Sequence, residues 1–158
     1  MNCLLKDRRG SAAPGMIIFL FVFILVVCAA MEYNRIHTIR NHVEKELSRA
    51  ANLSVEMAML DDYRQDGISK IDTAAAQATL SDYLHSNMHL NASNKLVVND
   101  KTEYRLAISS ISVNEEPPKV NIQGTIVIPV SVFNDYLEDG ISFTIPFKIA
   151  SRNQRLDG

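Results

Sequence analysis

Between Ser11 and Met31 the chain carries no charged residue, and Met16–Val27 (MIIFLFVFILVV) is apolar at every position. Nothing else in the sequence restricts the fold as strongly. As a helix rising about 1.5 Å per residue, a run of this length reaches about 31 Å, close to the ~30 Å hydrocarbon core of a bilayer. Burying such a helix inside a globule requires protein on every side. A chain of 158 residues cannot supply that and still build a second core. The run therefore predicts one transmembrane helix over residues 11–31, preceded by a basic leader (1–10) and followed by an extracytoplasmic domain.

Orientation rests on the flanks. Lys6, Arg8 and Arg9 crowd the ten residues before the run, whereas Arg35, Arg40 and Lys45 after it are spread out among Glu32, Glu44 and Glu46. Dense positive charge on a short N-terminal flank favours that end inside. The expected location is the cytoplasmic membrane, single-pass, with the N-terminus cytoplasmic and the C-terminal domain outside. A secreted alternative stays open: the basic start, the apolar run and Cys28-Ala29-Ala30 also fit a cleavable signal peptide. Against cleavage, the helical pattern continues past Ala30. The two cysteines, Cys3 and Cys28, lie about 37 Å apart in a helix and cannot pair within one chain. The domain after Met31 has none and must rely on a conventional core.

From Ile36 the apolar positions run Ile36, Ile39, Val43, Leu47, Ala50, Leu53, Met57 and Leu60, spaced three or four apart. That is an amphipathic helix continuing from the membrane over 32–62, with this stripe as its buried face. Asp61-Asp62 and Asp66-Gly67 mark its stop. A second helix is predicted from Asp72 as N-cap, with Ala76, Leu80, Tyr83, Leu84 and Met88 inward. Beyond the polar loop Asn91–Asn94 the period changes to two. Leu96–Val98, a strand through Tyr104, Leu106, Ile108, Ile111 and Val113 with a bulge at Ser109-Ser110, a third through Val120–Ile128, and a last from Ile141 to Ala150 make about four antiparallel strands. Pro129 suggests an edge or a strand end. The fold class is α+β, with residues 63–158 completing the domain.

Chemistry-bearing motifs are few. His85 and His89 share a helix face, but the stretch reads His-Ser-Asn-Met-His, without the glutamate of a zinc peptidase and with no cysteine nearby. His37 and His42, five apart, do not share a face. Asp61, Asp62 and Asp66 lack the ligand alternation of a calcium loop, since Tyr63 falls at its third position. No Gly-x-Ser-x-Gly, P-loop or dinucleotide fingerprint occurs. Asn52-Leu-Ser54 and Asn91-Ala-Ser93 match the glycosylation pattern, which acts only in a eukaryotic secretory pathway. After Met31 the chain carries 13 Lys/Arg against 17 Asp/Glu. Without a basic stripe, nucleic acid is not an expected partner. Neither enzymatic activity, a metal nor a cofactor is expected.

The segment Arg8-Arg9-Gly10-Ser11-Ala12-Ala13, followed by an apolar helix and a long amphipathic one, resembles the TadE/TadG-like proteins of tight-adherence (Flp-type) pilus systems. More broadly it is similar to type IV pilins and pseudopilins. The resemblance implies a pilin-like fold and a leader cut after Gly10 by a prepilin-type peptidase, leaving Ser11 as the new N-terminus. It implies an apolar helix that is retained, with the bilayer and other pilin-like or pilus assembly subunits as partners. The sheet ending near Ala150-Ser151-Arg152 also looks like the β-rich tail of TadE-like chains. One departure matters. The family places Val-Glu after the small residues, where Pro14 and Gly15 stand here; that implies a minor, initiating or accessory subunit rather than a major pilin. The competing expectation is an anchored or secreted module that binds a ligand or partner and has no pilus role.

Overall fold

A computed structural model describes residues 12–59, 70–131 and 141–151. One α-helix, α1, spans Ala12–Met57, 46 residues or about 69 Å of rise. Pro14 sits in its first turn, where an N–H has no helical partner to lose. The second helix, α2, spans Thr73–Ser86. Four strands follow: β1 (Lys95–Val98), β2 (Lys101–Asn114), β3 (Lys119–Pro129) and β4 (Ser142–Ala150). They form one antiparallel sheet in the order β1-β2-β3-β4. The architecture is α+β, as expected.

Local chemistry explains most boundaries. The Asp72 carboxylate accepts hydrogen bonds from the Ala74 and Ala75 N–H groups, at 2.8 and 3.3 Å, and so starts α2. The Asp72 N–H donates to the Ala58 carbonyl, and Met59 bridges Ile71. The end of α1 is thereby fastened to the beginning of α2. Asn99 and Asp100 take positive φ, 51° and 60°, and turn β1 into β2, the geometry of a two-residue hairpin. Lys101 and Thr102 already belong to β2. The bulge falls between Ile108 and Ser110. It restores Ile111 and Val113 to the face of Leu106, opposite Ile122 and Val120.

Pro129 ends β3 although β3 is a central strand. The β2 ladder stops at the pair Arg105 and Val127, so Pro129 lies on a stretch paired only with β4. The Val130 N–H donates to the Ile141 carbonyl, and the Ser151 N–H to the Val120 carbonyl. Antiparallel alternation then turns the hydrogen-bonding groups of Pro129 away from β4. Its missing N–H leaves no donor unpaired, and its carbonyl is free for another partner. By the same alternation, even-numbered β4 residues face the open sheet edge. Pro146 has no N–H to offer there, and Lys148 adds charge; both discourage strand addition.

α1 lies across one face of the sheet against β3 and β4, and α2 lies beside it, reaching β2. Val120, Ile122, Ile126 and Ile128 of β3 have no exposed surface and meet Val43 and Leu47 of α1 and Leu80 of α2 in one cluster. The opposite face of the sheet carries Arg105, Gln123 and Lys148, all exposed, so the domain has two layers.

Two expectations about α1 need correction. The helix ends at Met57, not near Leu60. Its buried stripe also drifts: after Leu47 it continues through Ala50, Ala51, Ser54, Val55 and Ala58, while Leu53 and Met57 are 37% and 68% exposed. α2 lies along this part of α1, with Tyr83 on Glu46 and Asp72 on Ala58, and small residues such as Ala50 and Ala51 let two helix axes approach closely. Ser54 fits there because its hydroxyl donates to the Ala51 carbonyl at 2.9 Å.

Candidate functional site

The apolar stretch of α1 is bare. Every large side chain from Met16 to Val27 is exposed, from 40% at Val27 to 74% at Met16. Among the described residues α1 is the one helix long and apolar enough to cross a membrane. A continuous apolar surface of this size marks a membrane or protein contact. A side chain added at Gly15 would meet nothing within 4 Å.

The first charged residue after this segment is Glu32, and it is buried. Its carboxylate gathers the chain from both layers. Oε1 accepts from Arg35 Nη1 at 2.7 Å and from the Ser131 N–H at 3.0 Å, while Oε2 accepts from the Ser131 hydroxyl at 2.7 Å. Arg35 Nη1 also donates to the Pro129 carbonyl at 3.1 Å, the group that the end of the β2 ladder leaves open. Burial pushes the Glu32 carboxyl up, but the Ser131 hydrogen bonds and Arg35 outweigh it and hold the group below its usual range. The result is a clamp between the helix and the end of β3, at the level where the sheet begins. Sequence reasoning used Glu32 only as a flanking charge. Its partner lies 99 residues away, and no local spacing announces it.

Beside the clamp an apolar cleft of about 650 Å³ opens between α1 and the sheet. Leu25, Cys28, Ala29, Tyr33 and Ile36 form its helical wall. Val130, Ile141 and Phe143 form the other. Ile141 and Phe143 are half exposed, at 50% and 49%. The Tyr33 ring stacks on His37, centroids 6.3 Å apart. Further along α1 a polar groove runs between Glu44, Lys45, Ser48 and Arg49 and the end of β4 at Ile149 and Ala150. Between the helices, the Tyr83 hydroxyl donates to Glu46 at 2.8 Å, and Arg49 pairs with the same carboxylate. Burial pushes the Tyr104 hydroxyl up to about 12. These contacts hold the layers together and converge on no open pocket.

The residues expected to carry processing, Lys6, Arg8, Arg9, Gly10 and Ser11, lie outside the described residues, as does the acidic cluster Asp61, Asp62 and Asp66. His85 Nδ1 lies 3.0 Å from the Leu90 carbonyl and His89 takes φ 53° just past the end of α2, so both serve that helix end. Among the described residues no three His, Cys, Asp or Glu side chains are placed to hold a metal ion. Compared with protein-family models, curated proteins and solved structures, the chain matches none.

Proposed function

We propose that this protein is a membrane-anchored, pilin-like or minor pseudopilin subunit of a Tad or type IV-like pilus or secretion assembly, acting structurally. The observation that carries the reading is the continuity of α1. One unbroken helix holds a bare apolar half and a half packed on the sheet, so the anchor and the domain share a single rigid axis. The Glu32 clamp stiffens the point where that axis leaves the domain. An anchor that only tethers needs no such rigidity; a subunit placed among others by its helix does. The N-terminus lies in the cytoplasm and the domain outside, and the bilayer, a prepilin-type peptidase and other pilin-like subunits are the partners. Pro14 and Gly15, standing where the resemblance expects Val-Glu, favour an accessory place in the assembly.

Processing tests the reading. Cleavage after Gly10 leaves a mature chain that begins at Ser11 and still contains Met16–Val27. Intact-mass measurement on the membrane form reads this directly, and Gly10→Leu should leave full-length precursor in the membrane. A chain beginning at Met31 would instead be a secreted protein. An uncut Met1 in a functioning strain would make it an anchored binding module.

A further inference from the structure

We infer that the apolar cleft between α1 and the sheet tip takes a phospholipid acyl chain from the leaflet next to the domain. The inference rests on the membrane reading above and goes beyond it by assigning a ligand site. Its first support is depth. Leu25, Cys28 and Ala29 belong to the uncharged run, whereas Tyr33 and Ile36 lie beyond it. The helical wall spans Leu25 to Ile36, about 16 Å of rise, and straddles the end of the membrane segment. Ile141 and Phe143 on the facing wall are therefore held at interface depth, where a cleft open to its surroundings meets acyl chains rather than water.

The second support is chemistry. Among the described residues one ionised group borders the cleft, Glu32, and Ser131 and Arg35 already occupy its oxygens. No buried polar side-chain atom among the described residues lacks a partner, and beyond the Cys28 thiol and the Tyr33 hydroxyl the walls are hydrocarbon. That favours a hydrocarbon chain over a polar ligand. The volume lies within the ~300–1,000 Å³ of ordinary ligand sites. Tyr33, 70% exposed at the rim, has the amphipathic ring that settles at a membrane–water boundary. A chain held here would also seal the gap between the clamp and the bilayer and fix the tilt of the domain.

The test uses full-length protein in phosphatidylcholine vesicles doped with a phosphatidylcholine bearing a diazirine midway along one acyl chain. After photolysis, labelled peptides are mapped by mass spectrometry. The expected result is label on Met16–Val27 and also on Ile141, Phe143 or Tyr33, with none on Ile111, an exposed apolar residue near the opposite end of β2. Phe143→Asp, at a half-exposed site, should remove the sheet-tip label and leave the Met16–Val27 label and the circular dichroism spectrum unchanged. Label on the span alone overturns the inference and leaves the membrane reading standing. Label on neither overturns both. Cross-links from Phe143 to the span of a second copy would give the cleft to another subunit and overturn the lipid assignment.

Discussion

Gly124 has no room for a side chain. It stands in the centre of β3 opposite Ile108, at the edge of the β2 bulge. A Cβ built there would lie 2.4 Å from the Ala107 carbonyl oxygen, 2.9 Å from Phe147 Cζ and 3.0 Å from Ile108 Cα. The Phe147 ring can swing, but the two backbone atoms are pinned by the ladder. An ordinary C–H···O contact is about 3.3–3.6 Å, so β2 must retreat by roughly 1 Å or the bulge must straighten. Overpacking of this kind costs about 1–3 kcal/mol, and a backbone clash belongs at the upper end. Removing a strand glycine returns about 0.5–1 kcal/mol. Gly124→Ala should therefore cost about 2 kcal/mol, or roughly 8 °C in melting temperature for a domain of this size. Thermal unfolding of the full-length protein in detergent, followed by circular dichroism, measures it. Gly15→Ala is the control, because nothing lies within 4 Å of that position and the domain should melt unchanged. A Gly124→Ala protein melting within about 2 °C of the parent would refute the close approach at the bulge.

Two further outcomes follow from the packing of α1. Leu47→Ala empties a site with no exposed surface and should cost about 3–4 kcal/mol. Leu53→Ala, at a position 37% exposed, should cost about 1 kcal/mol or less; equal losses in thermal unfolding would restore the stripe that simple spacing suggests. Glu32→Gln should cost about 1 kcal/mol at neutral pH, the worth of a charge-assisted hydrogen bond discounted for partial exposure. Because the folded carboxyl titrates below its reference value of 4.5, its stabilisation is full above that pH and is lost as the pH falls through the lower folded value. The melting temperature of the parent should accordingly drop more steeply than that of Glu32→Gln on acidification below 4.5, and parallel pH profiles would remove Glu32 from the clamp.

Much of this fold was legible because its elements obey local rules. The Asp72 cap, the inward set Ala76, Leu80, Leu84 and Met88 with Tyr83 only partly buried beside them, the bulge at Ser109-Ser110 and the alternation Val120–Ile128 each follow from residues within one or two turns or strand repeats. The errors have a physical source as well. Leu53 and Met57 attract a hydrophobic reading by size, whereas the buried face there runs through Ala51, Ser54, Val55 and Ala58, most of them small. The candidate site was legible only in its helical half. That Glu32 meets Ser131, and that Ile141 and Phe143 come to face Leu25 and Cys28, depends on the sheet folding back along α1. Contacts across so many residues leave no periodic trace.

The central claim is that one helix both anchors the protein and supports the domain, and its location tests this most directly. Cells expressing the full chain are fractionated, the membranes are washed with alkaline carbonate, and protease is added from outside. The protein should stay with the membranes, lose the domain after Met31 to the protease, and leave a protected fragment containing Met16–Val27. Recovery of the protein in the soluble fraction, or of a domain that begins at Met31 with no membrane fragment, would contradict the account.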